Sequence, residues 1–160
     1  MKSRRTFLKQ VVGVGVVGGA VSASAQGAGQ IAGFDHVAVP MQNTDAMVAF
    51  YRALGFTVRE GERICSVHMA NHKINFHRPS LWQGGEFTLR ALEATPPCGD
   101  FCFVWDGDAA SLQARLDSAG AEVIVGPAER QGGRDGGDAF GTSFYIRDPD
   151  QNLLEFIIYS

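Results

Sequence analysis

Ile146-Arg147-Asp148-Pro149-Asp150-Gln151-Asn152-Leu153-Leu154-Glu155-Phe156-Ile157-Ile158-Tyr159-Ser160 closes the chain. A turn over 148–152 feeds an apolar run in which a single carboxylate, Glu155, interrupts Leu153, Leu154, Phe156, Ile157 and Ile158. A charge in a buried strand is costly unless it is paired, hydrogen-bonded or bound to a metal. The rest of the chain must therefore supply something for Glu155 to face.

Working outward, Ala139–Arg147 alternates as the strand before that turn, and Leu153–Tyr159 as the strand after it. Before them come a strand at Asp100–Trp105, a helix over Ala109–Ala119 capped by Asp108 and stopped at Gly120, and a strand at Glu122–Gly126. The same series stands earlier in the chain. Phe34–Pro40 is a strand, Asn43 or Thr44 caps a helix over Asp45–Leu54, and Phe56–Glu60, Arg63–Ala70 and Lys73–Arg78 are strands. Pro79–Pro97 is a loop joining the halves. Repetition at a spacing of about 65 residues predicts a duplicated unit, because two copies are too few for a solenoid. The expected fold is α+β, with two βαβββ modules forming a curved mixed sheet and helices on its outer face.

Strand parity decides which residues share a face. Val37, Val39, Ile74, Phe76, Phe101, Phe103, Trp105, Leu154, Phe156 and Ile158 are expected to pack under the helices. The opposite face carries His36, then Asn75 and His77, then Asp100 and Cys102, then Glu155. Four strands thus place a metal-ligand type on the side away from the helices. His68 reads as strand surface and His72 as a turn residue. Cys65, Cys98 and Cys102 make an odd count; Cys98 and Cys102 diverge along an extended chain beyond bridging distance, and core packing is the expected role of Cys102.

The N-terminus reads differently. Ser3-Arg4-Arg5-Thr6-Phe7-Leu8-Lys9, the glycine-rich apolar stretch Val11–Val21 and Ala23-Ser24-Ala25 form a signal-peptide pattern, and the apolar part is too short to span a bilayer. The pair Arg4-Arg5 with Phe7, Leu8 and Lys9 resembles the twin-arginine export signal. That resemblance implies the twin-arginine export machinery as a partner and a folded bacterial product that is periplasmic or secreted. Cleavage is expected after Ala25, with 26–33 a short flexible segment, 34–160 the domain, and no membrane anchor after cleavage. Lys2, Arg4, Arg5 and Lys9 are four of 14 basic residues, so the mature chain carries 10 against 17 acidic residues, a net charge of −7. Such a balance argues against nucleic acid as a partner.

Phe34-Asp-His-Val-Ala-Val39, Phe50-Tyr-Arg-Ala-Leu-Gly-Phe56, Ile74-Asn-Phe-His77 and Arg147-Asp-Pro-Asp-Gln-Asn-Leu-Leu-Glu155 resemble the vicinal oxygen chelate superfamily of glyoxalases, bleomycin-resistance proteins, fosfomycin-resistance enzymes and extradiol dioxygenases. The resemblance implies one divalent metal ion held from the first and last strands of each module, at His36, His77, Asp100 and Glu155. Two departures stand out. Gln151 occupies a position usually held by Gly, which suggests a positive φ at Asn152, and Asp100 stands where His is frequent. Tyr145 matches the catalytic tyrosine of the dioxygenases.

Two imidazoles and two carboxylates suit Fe, Mn, Co, Ni or Zn. The expected activity is of glyoxalase type, a lyase or isomerase acting on a small-molecule substrate with vicinal oxygens, and Glu155 is the expected general base, with Asp100 the alternative. The alternatives are an Fe(II) extradiol dioxygenase using Tyr145, and a drug-binding protein of the bleomycin-resistance type without catalysis. Asn75 is expected to line the pocket. Glu129–Asp138 reads as a solvated loop or as a mobile lid whose Arg130 or Arg134 meets an anionic substrate. Trp82, Phe87, Trp105 and Phe140 offer stacking surface. The sequence leaves open whether the cup closes within one chain or across a homodimer.

Overall fold

A computed structural model describes residues 30–159 of the chain. The expected export signal and its cleavage site lie outside the described residues. Among the described residues, no helix is long and apolar enough to cross a membrane.

Two copies of one module follow each other. The first comprises β1 (His36–Pro40), α1 (Thr44–Ala53), β2 (Thr57–Glu60), β3 (Ile64–Met69) and β4 (His72–His77). A single-turn helix, α2 (Pro79–Trp82), begins the connection to β5 (Asp100–Val104), α3 (Ala109–Ser118), β6 (Val125–Gln131), β7 (Phe140–Arg147) and β8 (Leu153–Ile158). The sheets are mixed and four-stranded, in the orders β1-β4-β3-β2 and β5-β8-β7-β6. In each, the first strand lies parallel to the last and the others pair antiparallel. The duplicated α+β architecture expected from the sequence is therefore present.

Each sheet has one apolar face, and the two apolar faces share one core. Met47 and Tyr51 of α1, Leu112 and Leu116 of α3, and Leu154 of β8 are fully enclosed. Burying an apolar side chain of this size stabilises the fold by about 1.5–3 kcal/mol. Contact between the modules is direct: the Phe76 and Phe101 rings lie 6.4 Å apart, Phe56 and Phe103 lie 5.0 Å apart, and the Tyr51 hydroxyl donates to Asp148 at 3.1 Å. Since these are the helix-side faces, the polar faces of the two sheets point away from each other.

The turn before β8 locks the modules together. Asp148 accepts from Asp150 N, Asn152 N, Asn152 Nδ2 and the Tyr51 hydroxyl. Asn152 Oδ1 takes the N–H groups of Cys98 and Gly99, and Asp150 takes those of Gln42 and Asn43. Asn43 holds the N-cap position of α1, but its side chain donates to Asp150 instead of capping. The positive φ expected at Asn152 belongs to Gln151 (φ 71°). Buried Asn152 is held by its own side-chain bonds, which leaves exposed Gln151 to make the turn.

The strand expected at Glu122–Gly126 instead runs from Val125 to Gln131, with a register shift between Val125 and Ala128. β6 is an edge strand, where Pro127 costs little because an outward position needs no N–H donor. Arg130 consequently stands on a strand and not in a loop. The rest of the expected lid includes a 3-10 turn at Asp135–Gly137.

Candidate metal and substrate site

On the polar face of the second sheet, Cys102 pairs in register with Glu155, and Asp100 sits two residues earlier on the same face. Tyr145 pairs with Glu155 from the other side. The Ser143 hydroxyl, without solvent exposure, donates to Glu155 Oε1 at 2.5 Å and fixes that carboxylate. This arrangement gives Glu155 the partners its apolar surroundings demand. Asp100, Glu155, Tyr145, Arg130 and Arg147, with apolar Ile124, Val125 and Leu153, line a cavity of about 490 Å3. A larger cavity of about 610 Å3 runs beside the edge strand β5 and is walled mainly by Phe56, Met69, Phe103, Trp105 and Phe156. It contains neither Asp100 nor Glu155, so the carboxylates expected from the sequence line the smaller one.

Cys102 is not a core residue. Its side of β5 faces the candidate site, where burial, Glu155 and Asp100 push its thiol up to about 12. The Tyr145 phenol is also raised, by burial first and with Glu155 adding to it, while Arg130 opposes the shift. Both groups therefore enter neutral chemistry as protonated donors. Cys65, Cys98 and Cys102 are all free thiols.

The first sheet carries the other half of the expected set. His36 Nδ1 lies 2.5 Å from Asp35 Oδ1, and that hydrogen bond holds the Asp35 carboxyl below the usual carboxylate range. A proton on Nδ1 leaves the Nε2 lone pair available to a metal, the arrangement in which a carboxylate orients a ligating imidazole. Ala38 pairs with Asn75 as Cys102 pairs with Glu155. By the internal repeat, Asn75 is thus the counterpart of Glu155, and its Oδ1 accepts from Ser66 at 2.8 Å.

His77 does not share an ion with His36. It pairs with Pro40 whereas His36 pairs with Lys73, a four-residue offset worth about 13 Å along the strands. The His77 ring packs edge-on against Phe87 at 5.3 Å and is buried. Parity placed it on the correct face, but register along the strand removes it from the set. Arg134 is also elsewhere, its guanidinium 4.3 Å from the Tyr159 ring centre. Trp82 donates to the Met41 carbonyl, Trp105 packs against Phe156, and Phe140 is exposed. His72 opens β4 instead of forming the turn, and His68 has a buried Nε2 without a partner.

Because the polar faces diverge, His36 and the Asp100–Glu155 pair are not gathered within one chain. Among the described residues, no group of three His, Cys, Asp or Glu side chains lies close enough to hold a metal ion. Each half fits its role separately: an imidazole with a free nitrogen on one sheet, two carboxylates on one face of the other.

A family model described as the Glyoxalase/Bleomycin resistance protein/Dioxygenase superfamily matches residues 33–156. The chain belongs to this superfamily. It is 34% identical over 128 residues to the glyoxalase domain-containing protein RDO1 of Mycosarcoma maydis, covering 78% of this chain and 67% of that protein. It is 30% identical over 129 residues to the virulence protein STM3117 of Salmonella typhimurium, covering 78% of this chain and 83% of that one. The solved structure of STM3117 superposes with a TM-score of 0.69 over 82% of this chain and 99% of that one. An integron cassette protein of V. cholerae gives 0.70 at 29% identity, over 83% and 99% of the two chains. Superfamily membership accounts for the duplicated modules and makes the divalent metal a family-level expectation.

Proposed function

We propose that this chain is a metal-dependent enzyme of glyoxalase type, a lyase or isomerase, whose site is completed by two copies of the chain. His36 of one copy, with Asp100 and Glu155 of the other, would hold one divalent ion, and Asn75 would line the cavity beside His36. The observation that carries this reading is the split itself: an imidazole bonded to Asp35, and the carboxylates Asp100 and Glu155, the latter held by Ser143, sit on faces that point apart within one chain. A bound ion supplies Lewis acidity to two adjacent substrate oxygens. Glu155 accepts the proton from the neighbouring carbon, held by Ser143 through Oε1, and protonated Tyr145 and Cys102 stand beside it as donors. The twin-arginine pattern at Arg4-Arg5 supports export of the folded protein and a periplasmic or secreted location.

The test is complementation. Each of His36→Ala and Glu155→Ala should abolish tight metal binding alone. Mixed and refolded together, they should recover metal at one of the two sites in the mixed dimer, because one site then retains both His36 and Glu155. Failure to recover any metal would sink the shared site, and a metal-free wild type would leave a ligand-binding protein instead. A second reading, ring opening of a catechol with Fe(II), is favoured by the position of Tyr145 directly across from Glu155. Iron in the purified protein with oxygen uptake on catechols would select it.

A further inference from the structure

The cavity on the second sheet contains two cations, Arg130 and Arg147, that form no ion pair among the described residues. Arg130 donates through Nε to the Tyr145 hydroxyl at 3.1 Å and through Nη1 to the Glu129 carbonyl at 2.8 Å. Its guanidinium carbon lies 5.6 Å from the Tyr145 ring centre. Arg147 donates through Nη1 to the Gln151 carbonyl at 2.9 Å. Every one of these acceptors is neutral. Among the described residues the ion pairs are His36–Asp35, Arg52–Glu60 and Arg78–Glu60, and neither cavity arginine takes part in one.

Both arginines share their strand face with Glu155. Arg130 pairs with Gly141, which lies on the same side of β7 as Ser143 and Tyr145, and Arg147 pairs with Leu153 on that side. They stand on either side of Tyr145, with Ile124, Val125 and Leu153 forming the apolar remainder of the wall. Two carboxylates and two guanidiniums sum to zero, and a divalent ion on the carboxylates would raise the cavity by two positive charges. Such a cavity favours an anion, and a guanidinium presents paired N–H donors that match a carboxylate.

We infer that Arg130 and Arg147 form a carboxylate-recognising subsite, so that the substrate is a small 2-hydroxy or 2-oxo acid whose carboxylate is held by arginine. The charge argument rests on the metal-site reading above; the unpaired arginines do not. Arg130 is the principal contact because its bond to Tyr145 places the guanidinium over the cavity. Binding draws Arg130 toward the carboxylate and couples substrate arrival to the position of the Tyr145 hydroxyl. Ile124, Val125 and Leu153 accept a short hydrocarbon group on the other side of the acid.

The probe is glycolate, the smallest 2-hydroxy acid, set against its neutral amide, glycolamide. Both are titrated into the full protein prepared without metal and again with added Zn2+, following the Arg130 Nε–H signal of the wild type by NMR and the heat of binding of wild type and variants by calorimetry. Glycolate should shift that signal in both preparations, glycolamide should not, and Arg130→Met should weaken glycolate binding at least about ten-fold while leaving the melting temperature unchanged. Arg147→Met should give a smaller loss. Equal response to acid and amide, equal binding by wild type and Arg130→Met, or no response to glycolate at 20-fold molar excess and above would each overturn the subsite. Arg130-dependent glycolate binding by a protein that never takes up metal would uphold the subsite and reject the metal reading; metal uptake without any glycolate response would do the reverse.

Discussion

The Ser143 hydroxyl donates to Glu155 Oε1 at 2.5 Å from a position with no solvent exposure, and so aims the carboxylate on which the candidate site depends. A partner that orients a metal-binding carboxylate commonly contributes about 10- to 100-fold in metal affinity. Ser143→Ala should therefore weaken metal binding by about that factor while the fold persists. Competition against a chromophoric chelator measures the affinity, and an unchanged value would reduce Ser143 to a packing residue.

Asp148 gathers four donors in the interior: the Tyr51 hydroxyl, two backbone N–H groups and the Asn152 amide. Asp148→Ala leaves all four without their acceptor, and a stranded buried donor costs about 1–3 kcal/mol. A loss of at least about 3 kcal/mol is expected in urea denaturation, enough to unfold a marginal domain at 37 °C. A loss below about 1 kcal/mol would show that water replaces the carboxylate.

Gln151 carries its φ of 71° without being glycine or asparagine, and its side chain is exposed. A left-handed conformation costs an ordinary residue about 1–2 kcal/mol, part of which glycine returns as extra unfolded-state entropy. Gln151→Gly should raise stability by about 0.5–1 kcal/mol, visible as a higher melting temperature. A lower one would mean that the Gln151 side chain contributes more than the strain.

Burial, with the Arg90 guanidinium adding to it, holds His77 below the ordinary histidine value. The folded protein then binds fewer protons at this site than the unfolded chain does. Its contribution to stability is complete above about pH 6.5, falls as pH drops below that, and levels off beneath the depressed folded value. Urea denaturation at pH 7.5 and pH 5.5 should show a larger acid loss for the wild type than for His77→Gln. Equal losses would place the acid sensitivity elsewhere.

Much of this was legible in the sequence because it depends on period. Alternation placed Asp100, Cys102 and Glu155 on one face, and the repeat of strand, helix and three strands gave the modules. Period does not report register. The separation of His36 from His77 follows only from the pairing of β1 with β4, although alignment of the two internal repeats would have pointed to Asn75. β6 was displaced because Gly126 and Pro127 look like an ending, and only its edge position lets the strand continue past them. Core packing for Cys102 follows the general habit of cysteine and runs against its own parity, which puts it on the face of Glu155. That the two polar faces diverge is a matter of how modules pack, and no local pattern encodes it.

The clamp at 148–152 also sets an order of events. Asp150 holds the entrance of α1 from 108 residues away, and Asp148 receives Tyr51 across 97. During synthesis the first module must wait, its helix entrance without its acceptor and its inner face without its cover, until residues 148–152 have been made. Contacts this distant in sequence are slow to form, so this turn acts as a latch. Truncation before Asp148 should yield no smaller stable domain, only a chain that never closes.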